Sequence, residues 1–189
     1  ICIYIPMECL SGKISMFVKR GLIALLCSSP LSICGQPDTA FFKKQMLEEA
    51  EKMGQSIQER RYDDFVQFLY PPTVEFLGGE AKIAEAISVG FQGSYNIDTI
   101  TYFGAGPILT EGTMSQCVFV QTIVVRIKQG TVSSKSAVIG FNEKKSSKWY
   151  FIDTDGRKLE DLRKKYPFLS KELNLPVMPD PKFTPNDEL

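Results

Sequence analysis

Histidine is missing from all 189 residues. Imidazole is the usual general base near neutral pH and the commonest metal ligand. Its absence excludes a Ser-His-Asp or Cys-His catalytic arrangement within the chain, and any imidazole-ligated zinc. Catalysis, if there is any, falls to Asp, Glu, Tyr, Lys or Cys. No residue pattern points to a cofactor or a metal. An excess of one charge sign is missing too: 22 basic residues face 22 acidic ones. Nucleic-acid binders carry a basic excess because phosphate neutralisation drives their affinity, so nucleic acid is an unsuitable partner. Cysteine is scarce where it would matter. Cys2, Cys9, Cys27 and Cys34 lie near the start, and Cys117 alone lies well inside the chain. One cysteine cannot close an internal disulfide. Cys117 stands in an apolar strand pattern and reads as a buried inert thiol rather than a nucleophile.

A long apolar run is also missing. The best stretch, 21–33, is interrupted by Ser28, Ser29 and Pro30, too short and broken for a transmembrane span. Its surroundings have the layout of an export signal. Lys19 and Arg20 precede the apolar stretch, and small residues follow it. Cleavage after Gly35 would leave 154 residues, a normal single domain. That part holds 19 basic and 21 acidic side chains, since Lys13, Lys19, Arg20 and Glu8 leave with the signal. The chain opens on Ile1, so residues 1–15 read as sequence upstream of a start at Met16. Leu31-Ser32-Ile33-Cys34 is a poor lipoprotein box, with Ile33 where a small residue belongs. A lipid anchor through Cys34 and an ordinary buried helix remain alternatives. The favoured expectation is a periplasmic or secreted bacterial-type protein with a domain over 36–174 and a proline-rich tail over 175–189.

Within the mature part the apolar period predicts helices first and strands after. Phe42, Met46, Ala50, Met53 and Ile57 recur at helical spacing and predict a helix over 39–61, capped by Asp38 or Thr39. Residues 62–70 read as a short helix ended by Pro71-Pro72, with Phe65, Phe68 and Leu69 inward. Residues 73–77 read as a short extended piece, and 80–91 as a third helix on Ile83, Ile87 and Phe91. From Tyr95 the period becomes two, giving strands near 95–104, 113–128, 131–143 and 147–154. The second strand is apolar on both faces, as a central, doubly covered strand should be. Gly130 marks a hairpin turn. A last helix over 157–165 and an extended or frayed tail from Leu175 complete the reading. Helices followed by consecutive antiparallel strands predict an α+β fold, with N-terminal helices on one face of a curved sheet.

Three stretches carry a resemblance: 61–76 (RYDDFVQFLYPPTVEF), 79–83 (GEAKI) and 148–153 (KWYFID). With the long first helix, they resemble the nuclear transport factor 2-like (SnoaL-like) superfamily over about 39–154. The resemblance implies an α+β cone. It does not imply one activity, because the superfamily holds isomerases, dehydratases, hydrolases, cyclases and non-catalytic modules. In its isomerase branch an aspartate follows a Thr-Val-Glu-like run. Here Thr73-Val74-Glu75 is followed by Phe76, which cannot accept a proton. The dehydratase branch uses histidine, which this chain lacks.

Glu75, Asp98 and Asp153 are the carboxylates in or beside predicted strands, and Asp98 and Tyr102 share a strand face by period. They are the candidate acid–base groups, against a reading in which they face solvent or satisfy strand ends. Asp153-Thr154-Asp155-Gly156 lacks the oxygen ligands of a calcium loop and reads as a capped strand-to-helix turn. Gly104-Ala105-Gly106-Pro107 lacks a third glycine and reads as a turn or bulge. Phe65, Leu69, Phe76, Phe119, Phe141 and Trp149 line a ligand cavity if the cone is hollow, and are plain core if it is not. The leading expectation is a non-catalytic module that binds a small apolar ligand or a protein partner, as a homodimer through its open sheet face. A lyase or isomerase using a pocket carboxylate is the alternative, and a structural envelope protein with a filled cone is a third.

Overall fold

A computed structural model describes residues 39–91, 95–143 and 146–186. The stretch read as an export signal, its expected cleavage point, Cys34 and the expected cap Asp38 lie outside the described residues. Helix α1 (Thr39–Gln58) buries the stripe through Met46, Ala50 and Met53 that its apolar spacing dictates. Helix α2 (Tyr62–Val66) is shorter than expected and buries Val66. Phe65, Phe68 and Leu69 are half-buried.

Residues 73–77 are not extended. Residues 73–76 belong to helix α3 (Pro71–Phe76), which starts on the two prolines, and Leu77 caps its end. Proline in a first helical turn gives up no hydrogen bond and brings its φ already set, so Pro-Pro begins a helix as readily as it ends one. Helix α4 (Glu80–Gly90) follows, with Ile83 and Ala84 buried.

The strands are β1 (Tyr95–Phe103), β2 (Leu109–Glu111), β3 (Met114–Ile127), β4 (Gly130–Glu143) and β5 (Tyr150–Asp153). Helix α5 (Leu159–Lys165) and strand β6 (Lys182–Pro185) complete the order. Together they make an α+β fold around an antiparallel sheet ordered β1-β3-β4-β5, with β2 on β3 and β6 on β4. The proline-rich tail is therefore extended but not frayed: Lys182 to Pro185 pair with Ser133 to Gly130. Phe68 also joins the sheet edge, accepting from the Phe151 N–H at 2.8 Å. That pairing draws the chain out of helix after Val66.

Helices do not cover one face alone. On one side Met46, Ala50 and Met53 of α1 pack on Cys117, Phe119, Val138 and Phe151. On the other, Leu162 and Tyr166 with Leu169 and Leu173 pack on Val118, Ala137, Ile139 and Phe141. This double cover explains why β3 is apolar on both faces. Among the described residues no helix is long and apolar enough to cross a membrane.

Candidate functional site

Beyond the packed part of α1, the sheet face turned toward it stays partly open. There β3 presents Gln121, Ile123 and Val125, and β4 presents Ser134. Ile97, Ile100 and Tyr102 of β1 complete the wall, since Ile100 pairs with Ile123 and Tyr102 with Gln121. Met53 and Ile57 of α1 roof it, with Phe65 and Phe91 beside them. Asp153 closes one end. The cavity measures about 280 Å³. Ligand sites start at about 300 Å³, so it suits a small occupant.

Its polar end is built by register. Val138 of β4 pairs with Asp153 of β5, and Ser136 pairs with Gln121. Ser136 Oγ donates to Asp153 Oδ2 at 3.0 Å and Gln121 Nε2 donates to the same oxygen at 3.3 Å. The Asp155 N–H donates to Oδ1 at 2.8 Å, closing the turn into α5. Asp155 adopts φ 52° there, and Lys158, not Asp155, takes the helix-capping position without a side-chain bond. Asp153 is exposed as a residue, although protein atoms stand close around its carboxyl. Burial accordingly raises its pKa, and the three hydrogen bonds oppose that rise.

Tyr102 is the second polar group. Its ring stands edge-on to Phe119, centroids 5.8 Å apart, and its hydroxyl is buried without a hydrogen-bond partner. Burial, then the charges of Asp153 and Glu51, push its pKa far up. The hydroxyl rests on Gly54 of α1, where an added Cβ would lie 2.7 Å from it. Gly54 is kept for that approach, against the ordinary helical preference for alanine. Leaving a hydroxyl unpaired costs about 1–3 kcal/mol. Tyr102→Phe should therefore raise stability by about 1 kcal/mol in urea melts. A lower midpoint would show that the hydroxyl has a partner in the folded protein.

The candidates named from sequence separate clearly. Asp153, Tyr102 and Phe65 come together at this cavity. Asp98 does not. A bulge between Ile97 and Thr99 breaks the alternation, and its carboxylate pairs with Arg126 at 2.7 Å on the side away from Val125. Glu75 lies exposed on α3, not beside a strand. Phe76 is 74% exposed, with the Lys165 ammonium 4.6 Å from its ring centroid, and lines nothing. Phe119 and Trp149 are fully buried core, and Phe141 belongs to the opposite face. Leu69 packs with Val66 and Val74 away from the cavity. Cys117 donates to the Gly106 carbonyl, and burial raises its thiol to about 11, which makes it a poor nucleophile.

Sequence reasoning missed Gln121, Ser134, Ser136 and Phe91. Gln121 carried a signal: it is the polar member of the otherwise apolar alternating set Cys117, Phe119, Ile123 and Val125. Three other hollows are weaker sites, and in one of them, about 390 Å³, Leu69 and Glu75 stand beside Lys148 and Tyr150. Another, of about 570 Å³, is an open surface on which Arg61 pairs with Asp64. The third, about 300 Å³, lies between Gly106 and Leu173, with Glu172 and Asn174 as its polar side chains.

No protein-family model matches the chain, and no curated protein matches it. The cavity therefore rests on its own geometry.

The raised pKa of Asp153 makes a stability prediction. A carboxyl that binds its proton more tightly when folded stabilises the fold below its unfolded pKa of about 3.9. That contribution fades as pH rises through the folded pKa. Asp153→Asn has no such proton to lose. Its melting temperature relative to the parent should rise between about pH 4 and 7. A difference that stays flat or falls across that range would contradict the burial of this carboxyl.

Proposed function

We propose that this is an exported domain of the nuclear transport factor 2-like, α+β cone type that holds a small apolar ligand without transforming it. One observation carries the reading: an apolar cavity of about 280 Å³ whose single polar end is built from Asp153, Gln121 and Ser136. Pockets of that make-up bind by burying an apolar body and fixing one polar group. Phe76, in the place of the isomerases' proton acceptor, is exposed and takes no part. A second copy pairing across the sheet face that bears Phe103 belongs to this reading, and a strict monomer in sedimentation equilibrium removes that part.

The test uses 2-phenylethanol titrated into the labelled domain under NMR. Amide shifts should cluster on Ile100, Gln121, Ile123 and Asp153 and saturate in the millimolar range or below. Shifts that never saturate, or that scatter over the surface, would remove the reading. Mass spectrometry of the cell-exported product should show a chain starting at Gln36.

The pairing of Asp153, whose pKa is raised by the protein atoms around it, with Tyr102 in one cavity favours a second reading, a lyase or isomerase with Asp153 as acid–base group. Turnover of any substrate that vanishes in Asp153→Asn would establish it instead.

A further inference from the structure

Among the described residues no cation pairs with the carboxylate at the end of the cavity. Its three bonded partners are Gln121 Nε2, Ser136 Oγ and the Asp155 N–H, all neutral. Among the described residues no lysine or arginine lines the cavity. The charges that act on this end, Asp155 and Glu51, are negative as well. Asp153 is exposed at this end, so its carboxylate is open to an entering cation, and among the described residues no protein cation competes for it. Aromatic faces flank the space: Phe65, Phe91 and Tyr102 line it. Rings of that kind attract ammonium groups.

From this arrangement we infer that the ligand is a hydrophobic primary amine, its ammonium on Asp153 and its apolar body between α1 and the sheet. The inference rests on the ligand-holding reading above and adds the ligand's charge. The ammonium donates to the carboxylate while Gln121 and Ser136 hold the carboxylate in place. A charge-assisted bond is roughly twice as strong as a neutral one. An anionic ligand of the same shape meets a like charge and is refused.

The experiment compares three probes of one shape at pH 7: 2-phenylethylamine, 2-phenylethanol and phenylacetate. Affinities come from NMR titration of the intact domain. The amine should bind about tenfold tighter than the alcohol, and phenylacetate should not bind. In Asp153→Asn the amine should lose its advantage over the alcohol, and a dispersed amide spectrum shows that the variant is folded. If amine and alcohol bind the parent equally, or if Asp153→Asn leaves the amine unaffected, the amine assignment fails and the ligand-holding reading stands. If none of the three binds, both fail. The three-probe comparison on the parent protein decides the point even if the variant does not fold.

Discussion

Trp149→Ala lowers the stability of this fold by about 3–5 kcal/mol, the range for removing a large aromatic from a packed core. Trp149 is fully buried, though it directly follows the exposed turn after β4. It packs in the cluster that joins Met46 and Ala50 of α1 to Phe119 and Phe151 of the sheet. Gly140 leaves it room, since a Cβ there would stand 3.3 Å from the indole Cε3. The alanine variant opens a void between helix and sheet that neighbouring rings cannot close without leaving their rotamers. A domain of this size has roughly 5–15 kcal/mol in all, so the loss is a large share of it. Urea melts should show a lower midpoint with an unchanged slope. Trp149→Phe should cost clearly less, because it also removes an indole N–H buried without a partner. Equal losses for the two variants would contradict the packing described.

Gly130→Val detaches the C-terminal strand. Gly130 opens β4, and a Cβ there would run into the Thr184 carbonyl and the Cα of Pro185. Both are backbone, so neither can swing aside, and β6 must leave. The Asn186 contacts to the Lys128 and Gln129 carbonyls go with it. Overpacking of this kind costs about 1–3 kcal/mol. The sharper readout is local: the amide hydrogen of Thr184 loses its protection, while those of β3 keep it. Protection retained at Thr184 would show that β6 does not depend on this glycine. In sequence Gly130 reads as a turn residue. The two-residue loop is in fact Lys128-Gln129, and the glycine is kept for the close approach of a strand 50 residues later.

Those contrasts show what the sequence carries and what it does not. The helical period of Met46, Ala50 and Met53 and the alternation along β3 are legible, because burial on one face imposes them directly. The α+β class follows from their order. The helix at 71–76 is not legible, since two prolines serve a start and a stop equally well. The docking of β6 is hidden by its prolines, which mark a tail as readily as an edge strand.

The site is legible in part for a related reason. Asp153 and Tyr102 are exceptional by chemistry, so they stand out before their partners are known. Asp98 stands out equally and is wrong, because one extra residue in β1 sends its carboxylate to Arg126. Phe76 is apolar and yet exposed, which no local pattern reveals. Ser134 and Ser136 look like surface strand residues and become site residues only through the β3–β4 register. Tertiary placement, not residue type, separates the aromatics that form core from Phe65, Phe91 and Tyr102, which line the cavity.

The cavity is the centre of the account, and intermolecular NOEs to bound 2-phenylethanol test it most directly. The account predicts contacts from the ligand's ring protons to the methyls of Ile57, Ile100, Ile123 and Val125, which line the cavity together. Contacts to Leu109 and Leu173 at the opposite groove, with none to those methyls, would contradict it.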